Sequence, residues 1–137
     1  MTIQEKQDAI IAEFAPLHTW MEKYEHIIQK GKQLPTMDST LKIDDNLIRG
    51  CQAKVWLFAH VNEGKIQLTA DSDTLITKGL IALIIQVFHN ESAREILKAD
   101  LYVFDKIGLK EHLEPTRANG LLSMIKHIKL LALSAGR

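Results

Sequence analysis

The longest apolar stretch of the chain runs from Leu75 to Phe88, near the middle of the sequence. Most strands have fewer than about ten residues, so the stretch is too long for one strand. Its unbroken apolar part, Gly79–Ile85, is interrupted by Gln86 and is far shorter than the roughly 20 residues that a membrane-spanning helix needs. The stretch therefore predicts a buried helix. Gly79 lies inside it and costs about 1 kcal/mol relative to alanine, which a close contact between this helix and a sheet would explain.

Two helices are predicted before this stretch. Thr2 to Phe14 mixes apolar and charged residues in a pattern typical of a first helix. Pro16 suits the first turn of a second helix, because its missing N–H has no intrahelical partner there. Gly31 is placed to end that second helix. Its apolar stripe consists of Leu17, Trp20, Met21, Tyr24, Ile27 and Ile28.

A change to alternating spacing then predicts a small antiparallel sheet. Val55–Val61 is rich in aromatic and β-branched residues, which favour strands. Asn62–Gly64 is a turn, and Lys65–Ala70 alternates as the returning strand of a hairpin. Leu41–Asp44 is interpreted as a third strand at one edge.

Helices are predicted again after the sheet. Asp71–Asp73 offers oxygens that cap the apolar helix, and Ser92–Glu95 fits a capping box that opens a short helix. Asp105–Glu111 adds another turn or two, and an amphipathic helix follows Pro115. The order predicts one α+β domain over residues 1–137, in which a three-stranded antiparallel sheet packs with helices.

The charge balance limits the classes of partner. Lys and Arg together number 17, as do Asp and Glu, so the formal charge is zero with neutral histidines. Such a chain has no bulk attraction to nucleic acid or to an anionic membrane. The amino terminus mixes both signs of charge and lacks the order of a signal peptide. We therefore expect a cytoplasmic protein whose partners include neither nucleic acid nor membrane.

The single cysteine, Cys51, is the main candidate for chemistry. One cysteine excludes an internal disulfide and a metal cage built from several cysteines of this chain. Gly50 lacks a Cβ and lets the backbone turn tightly beside it. Arg49 and Lys54 bring positive charge, which favours the reactive thiolate. The alternative is a small, buried and inert apolar residue, and local composition leaves both interpretations open.

The six histidines add little to this candidate. None has the helical spacing to a second histidine and a third ligand that predicts a zinc site, so no metal is expected. His60 lies too far along its strand to act as a base for Cys51. A thiol without a base is poorly suited to hydrolysis. It is adequate for sulfur relay, in which a thiolate attacks a sulfur–sulfur bond.

Four stretches of sequence are more informative together than any single motif. They are Ile48–Trp56, Asp71–Asp73 followed by Ile76–Leu80, Ile107–Leu109 with His112–Leu113, and Pro115–Leu121. Preceded by Trp20, Tyr24 and Leu34–Pro35, these stretches resemble the SufE-like sulfur-acceptor family in order and spacing. The resemblance extends over essentially the whole chain.

The resemblance implies both a fold and a function. The fold is that of the IscU-type scaffolds, a three-stranded antiparallel sheet with helices packed against it. In this family a cysteine accepts sulfur from the persulfide of a SufS-type cysteine desulfurase and stimulates that enzyme. The sulfur then passes to a SufB-containing scaffold complex for iron–sulfur cluster assembly. The family has no cofactor of its own, because the pyridoxal phosphate belongs to the desulfurase.

The resemblance also assigns roles to residues. Cys51 is the implied acceptor, and Gly50 and Gln52 shape its loop. Asp73 and Arg117 fall at family positions near the cysteine loop and the surface that faces the desulfurase.

Ala53 and Lys54 depart from the Ser and Gln that are common in the family, so the resemblance leaves the identity of the desulfurase open. Two other functions are considered. An IscU-like scaffold would build the cluster on itself, and a single cysteine argues against it because clusters are held by several thiolates. A non-catalytic interaction module would keep Cys51 as an inert core residue.

Overall fold

The computed structural model describes residues 1–135, in which seven helices pack with a two-stranded antiparallel sheet. The helices are α1 (Ile3–Phe14), α2 (Trp20–Lys32), α3 (Leu75–Phe88), α4 (Ala93–Lys98), α5 (Val103–Lys106), α6 (Leu109–His112) and α7 (Pro115–Ala135). The strands are β1 (Val55–Asn62) and β2 (Lys65–Ser72). Within the described range, no helix has the length and apolar character needed to cross a membrane.

The predicted hairpin is confirmed. β1 and β2 pair antiparallel from Val55 opposite Ser72 to Asn62 opposite Lys65. One face of the hairpin is buried against the core, where Leu57 lies directly opposite Ala70. The hairpin therefore places the start of β1 beside the end of β2, and the loop before β1 lies close to the residues that lead into α3.

The third strand is not found among residues 1–135, where the sheet has two strands. Short 3-10 turns at Ser39–Leu41 and Asp44–Asn46 take up the two ends of the segment predicted as a strand. Asp38 caps the first turn by accepting a hydrogen bond from the Thr40 amide at 2.9 Å, and Asn46 donates to the Leu41 carbonyl at 2.8 Å. These side-chain bonds offer the backbone an alternative to a strand ladder, so the segment folds on itself.

α3 forms the centre of the core, as its apolar sequence predicts. Most of its residues are buried, including Ile81 and Ile84 with no exposed surface. It packs on β2 and, closely, on α2. The contact that explains Gly79 is with a helix and not with the sheet: a Cβ placed on Gly79 would lie 2.1 Å from the Ile27 carbonyl oxygen of α2. Gly31 lies inside α2 at this contact and does not end the helix.

α2 begins four residues later than the predicted start at Pro16. Its N-cap is Thr19, whose hydroxyl accepts from the Glu22 amide while the Glu22 carboxylate accepts from the Thr19 amide. This capping box satisfies two amides that would otherwise lack acceptors, which is why it fixes the start of the helix.

α7 begins at Pro115, as predicted, and is the longest described helix. Its buried positions are Gly120, Leu121, Met124, Ile128 and Ala132, at helical spacing along one face. That face packs on α3 and α4, so the first turns of α7 come to lie beside the loop that carries Cys51.

Candidate functional site

The loop that carries Cys51 is closed by backbone pairing at its base. The Ile48 amide donates to the Val55 carbonyl at 2.9 Å, and Leu47 forms an isolated bridge with Trp56. Residues 49–54 therefore project as a short loop just before β1. Gly50 has a φ of +90°, a conformation in which glycine is strongly favoured.

Gly50 also lies against α7. A Cβ at this position would be 2.5 Å from the Ser123 Oγ, so only glycine lets the loop approach the helix this closely. The role of Gly50 as a loop-shaping residue, implied by the resemblance, thus has a structural basis in both its conformation and its packing. The loop and α7 meet here without room for a larger residue.

Asp73 fastens the other end of the loop. Its Oδ1 accepts a hydrogen bond from the Lys54 amide at 3.0 Å, and its own amide donates to the Lys54 carbonyl at 3.1 Å. The prediction that Asp73 caps the apolar helix is wrong. The N-cap of α3 is Thr74, which makes no side-chain capping bond. The Asp73 carboxylate is used for the loop instead, because the hairpin register brings the end of β2 next to Lys54.

A cavity of about 390 Å³ opens beside the loop. Cys51, Gln52, Asp73 and Arg117, four of the five site residues named from the sequence, all line it. The fifth, Gly50, lines a separate groove of about 780 Å³ on the other side of the loop. The remaining lining residues of the cavity are Ala53, Thr74, Thr77, Leu80, Thr116, Gly120 and Met124.

Cys51 is half-buried at the edge of this cavity. Its thiol donates a weak hydrogen bond to the Gly120 carbonyl, with Sγ and oxygen 3.6 Å apart. Burial raises the pKa of the Cys51 thiol, because a buried thiolate loses its hydration. At rest the sulfur is therefore held as a neutral thiol.

The prediction that Arg49 and Lys54 favour the thiolate is wrong for this resting state. Arg49 lines the groove beyond Gly50, together with Asp44 and Asp45, and does not line the cavity of Cys51. Lys54 has an exposed side chain. Loss of hydration at the sulfur outweighs both charges, since exposed charges are screened by water.

The raised pKa gives a testable expectation for chemical reactivity. Because only the thiolate attacks alkylating agents, iodoacetamide at pH 7 should modify native Cys51 about tenfold more slowly than the urea-unfolded chain. The native rate should rise with pH, with a midpoint above that of the unfolded chain. Mass spectrometry of timed samples measures both rates. A native rate equal to or above the unfolded rate would instead indicate a stabilised thiolate.

Arg117 lies half-buried on the first turn of α7 and lines the cavity. Within residues 1–135 no carboxylate comes within 4.0 Å of its guanidinium, so its charge has no internal ion pair. A guanidinium presents five fixed N–H donors and stays charged at any ordinary pH. Arg117 can therefore bind a carboxylate or another anion that enters the cavity or covers it.

Seven of the cavity residues are absent from the set named from the sequence, and three of them, Thr74, Thr77 and Thr116, are polar. Thr77 is the residue that a sequence pattern could have indicated, because it is a polar residue in a predicted buried helix. No cluster of three or more His, Cys, Asp or Glu side chains is arranged to hold a metal ion in the described part of the chain.

Comparison with known families gives one result over most of the chain. The family model described as the SufE Fe-S metabolism associated domain matches residues 8–132. The matched range contains every residue of the cavity.

Individual proteins give the same result. An uncharacterized SufE-like protein of Rhizobium meliloti is 40% identical over 127 residues, which cover 89% of this chain and 91% of that protein. A second uncharacterized SufE-like protein, from Rhizobium etli, is 37% identical over 127 residues, covering 89% and 86%. The solution structure of a hypothetical protein from Thermus thermophilus has a TM-score of 0.77 and covers 95% of each chain. At 18% identity, that last similarity establishes the fold alone.

Proposed function

This chain belongs to the SufE family, and from that premise we propose that it is a sulfur carrier whose acceptor is Cys51. Family membership implies a role in iron–sulfur metabolism and a sulfur-metabolism partner of the desulfurase kind. The observation that supports the carrier function most is the position of Cys51. The only cysteine of the chain sits on a closed loop, at a cavity that it shares with Asp73 and Arg117.

The proposed reaction is one sulfur transfer. A desulfurase carries a persulfide on its own cysteine, and the Cys51 thiolate attacks the outer sulfur of that persulfide. A sulfur–sulfur bond forms on Cys51 as the bond in the donor breaks, and the electron pair leaves with the desulfurase thiolate. The proton lost from Cys51 balances the charge on that thiolate. The sum is a transfer of one neutral sulfur atom, and no outside oxidant or reductant takes part.

The buried thiol fits a carrier that reacts only in a complex. A thiol with a raised pKa is a poor nucleophile in free solution, which protects it from small oxidants and alkylating agents. Docking of a desulfurase would change the surroundings of the loop and expose the sulfur to the donor. Such a movement would break the weak bond between the Cys51 thiol and the Gly120 carbonyl, while the bonds between Asp73 and Lys54 hold the end of the loop in place.

The partners and cofactor follow from the same proposal. The donor is a SufS-type cysteine desulfurase, which brings the pyridoxal phosphate, and the chain needs no cofactor of its own. The acceptor of the sulfur is a SufB-containing scaffold complex, and the transfer takes place in the cytoplasm. Ala53 lines the cavity next to Cys51, at a position where the partner surface would come close.

The proposal is tested by desulfurase turnover, measured as alanine released from cysteine. A carrier removes the persulfide that blocks the next cycle, so the wild-type chain should raise turnover several-fold. No increase with an active SufS-type desulfurase would contradict the carrier function for that enzyme.

Arg117 gives a more specific expectation in the same assay. Arg117→Ala should reduce the stimulation about tenfold, because a charge-assisted bond to the partner or to the sulfur is lost. The melting temperature should change by only about 2 °C, since no internal ion pair is removed. Arg94→Ala is the matched control, because Arg94 is exposed on α4 and does not line the cavity. A large fall in melting temperature with normal stimulation would make Arg117 a structural residue.

A further inference from the structure

The carboxylate of Asp71 joins three elements that surround the Cys51 loop. Asp71 lies at the end of β2, directly opposite Trp56 of β1, and its side chain is only 13% exposed. The Lys42 Nζ lies 2.5 Å from its Oδ2, and the Lys78 Nζ lies 3.3 Å from its Oδ1. Lys42 belongs to the segment that enters the loop, and Lys78 belongs to the first turn of α3. One carboxylate therefore holds both of these elements on the end of the hairpin.

The segment that carries Lys42 leads directly into the Cys51 loop. Beyond Lys42 and one 3-10 turn, Leu47 forms its bridge with Trp56 at the base of the loop. The Lys42 Nζ also lies 5.8 Å from the centre of the Trp56 ring. The ion pair with Asp71 therefore helps to fix the limb of chain by which the loop is entered.

Two ammonium groups share this one carboxylate. Within residues 1–135, neither Lys42 nor Lys78 pairs with a second carboxylate. Both lysine side chains are partly buried, so water screens their charges only in part. If the charge of Asp71 were removed, the two lysines would be left close together without a counter-ion. Their repulsion would drive the entering limb and α3 apart.

Such a separation would open the cavity of Cys51. Thr77 and Leu80 are near Lys78 in α3, and both line this cavity together with the Cys51 loop. A movement of the start of α3 away from the entering limb would therefore admit water to the half-buried sulfur.

We infer that Asp71 is a positioning residue that keeps the Cys51 thiol sheltered at rest, because it holds the entering limb of the loop and the start of α3 on the hairpin. The inference rests on the proposed carrier function and adds a residue that restrains the thiol before a partner docks. Asp73 fastens the other end of the loop through Lys54. The two carboxylates thus hold the two limbs of the loop separately.

The test measures the reactivity of Cys51 in the absence of any partner. Asp71→Asn keeps the size of the side chain and removes its charge. We expect iodoacetamide to modify native Asp71→Asn at pH 7 at least about threefold faster than the wild type, because a more hydrated thiol has a lower pKa. The midpoint of the rate against pH should move down toward that of the unfolded chain. The charged residues that line the cavity, Asp73 and Arg117, are the same in both proteins.

A second variant separates this movement from a direct effect of charge. Loss of a negative charge near Cys51 would by itself lower the pKa of the thiol, and loss of a positive charge would raise it. Lys42→Met removes a positive charge and also releases the entering limb from Asp71. We therefore expect Lys42→Met to be alkylated about twofold faster than the wild type, whereas a direct effect of charge would make it slower.

The matched control is Glu91→Gln, which removes the ion pair between Glu91 and Lys6. The Glu91 carboxylate is also 13% exposed, and it does not line the cavity. This variant should melt at a lower temperature, as Asp71→Asn should, and keep the wild-type rate of alkylation. If Asp71 had only a structural role, Asp71→Asn would behave in the same way as this control.

A wild-type rate of alkylation in Asp71→Asn, or an unchanged or slower rate in Lys42→Met, would overturn the inference. If Asp71→Asn does not fold, the rate of Lys42→Met decides alone. These outcomes are separate from the carrier function, which fails only when an active desulfurase neither loads Cys51 nor turns over faster.

Discussion

Gly79→Ala is expected to lower the free energy of unfolding by about 3 kcal/mol or more, or to prevent folding. The added Cβ would lie 2.1 Å from the Ile27 carbonyl oxygen and 2.6 Å from the Ile27 Cγ2. The first of these atoms belongs to the backbone of α2, so no change of side-chain rotamer removes the clash. The two helices must move apart, and the packing of α3 in the core would be lost with them.

The matched control is Gly120→Ala, a second buried glycine within a helix. The nearest atom to a Cβ at this position is the Cys51 Sγ, at 3.7 Å, which is an ordinary contact. Alanine is favoured over glycine in a helix by about 1 kcal/mol, so this variant should be neutral or more stable. Urea unfolding followed by circular dichroism measures both variants. If Gly79→Ala lowered the free energy of unfolding no more than Gly120→Ala does, the contact between α2 and α3 would be looser than the structure shows.

Much of the fold follows from local sequence. The apolar stretch from Leu75 to Phe88 is a buried helix, and the alternating segments around Asn62–Gly64 form the hairpin. Pro115 begins the last helix. In each case a long periodic pattern and a clear turn or start residue indicate the same element, which is the situation in which local sequence is most informative.

The sequence-based predictions are wrong where short local interactions or contacts between distant parts of the chain decide the structure. The segment at Leu41–Asp44 has strand-like composition, but bonds from Asp38 and Asn46 fold it into turns. Gly31 resembles a helix end in the sequence, whereas the structure uses it for the approach of α3. That approach joins residues far apart in the chain, so no local pattern could reveal it.

The candidate site also has features that the sequence implied and features that depend on contacts between distant residues. The positions of Asp73 and Arg117 beside Cys51 were implied by the resemblance to a family, since nothing in their local sequence indicates the cavity. The sequence leaves the state of the thiol open, because the charges of Arg49 and Lys54 and the burial of Cys51 act on its pKa in opposite directions. That state depends on burial against Gly120 of α7, a contact made across 69 positions of the chain.

Cys51→Ser should abolish sulfur acceptance altogether. A serine hydroxyl ionises far above neutral pH and cannot form the sulfur–sulfur bond that holds the transferred atom. The fold should be kept, because serine is close to cysteine in size and its hydroxyl can also donate to the Gly120 carbonyl. We expect a change of less than about 1 kcal/mol in the free energy of unfolding. Loss of acceptance in this variant would therefore reflect the missing sulfur and not a damaged fold.

The most direct measurement is the intact mass of the chain after incubation with a SufS-type desulfurase and cysteine, for the wild type and for Cys51→Ser. A carrier gains about 32 Da for each sulfur bound, and the gain is reversed by a thiol reductant. We predict this gain in the wild type alone. A wild-type chain that gains no mass beside an active desulfurase, or an equal gain on Cys51→Ser, would contradict the assignment of Cys51 as the sulfur acceptor.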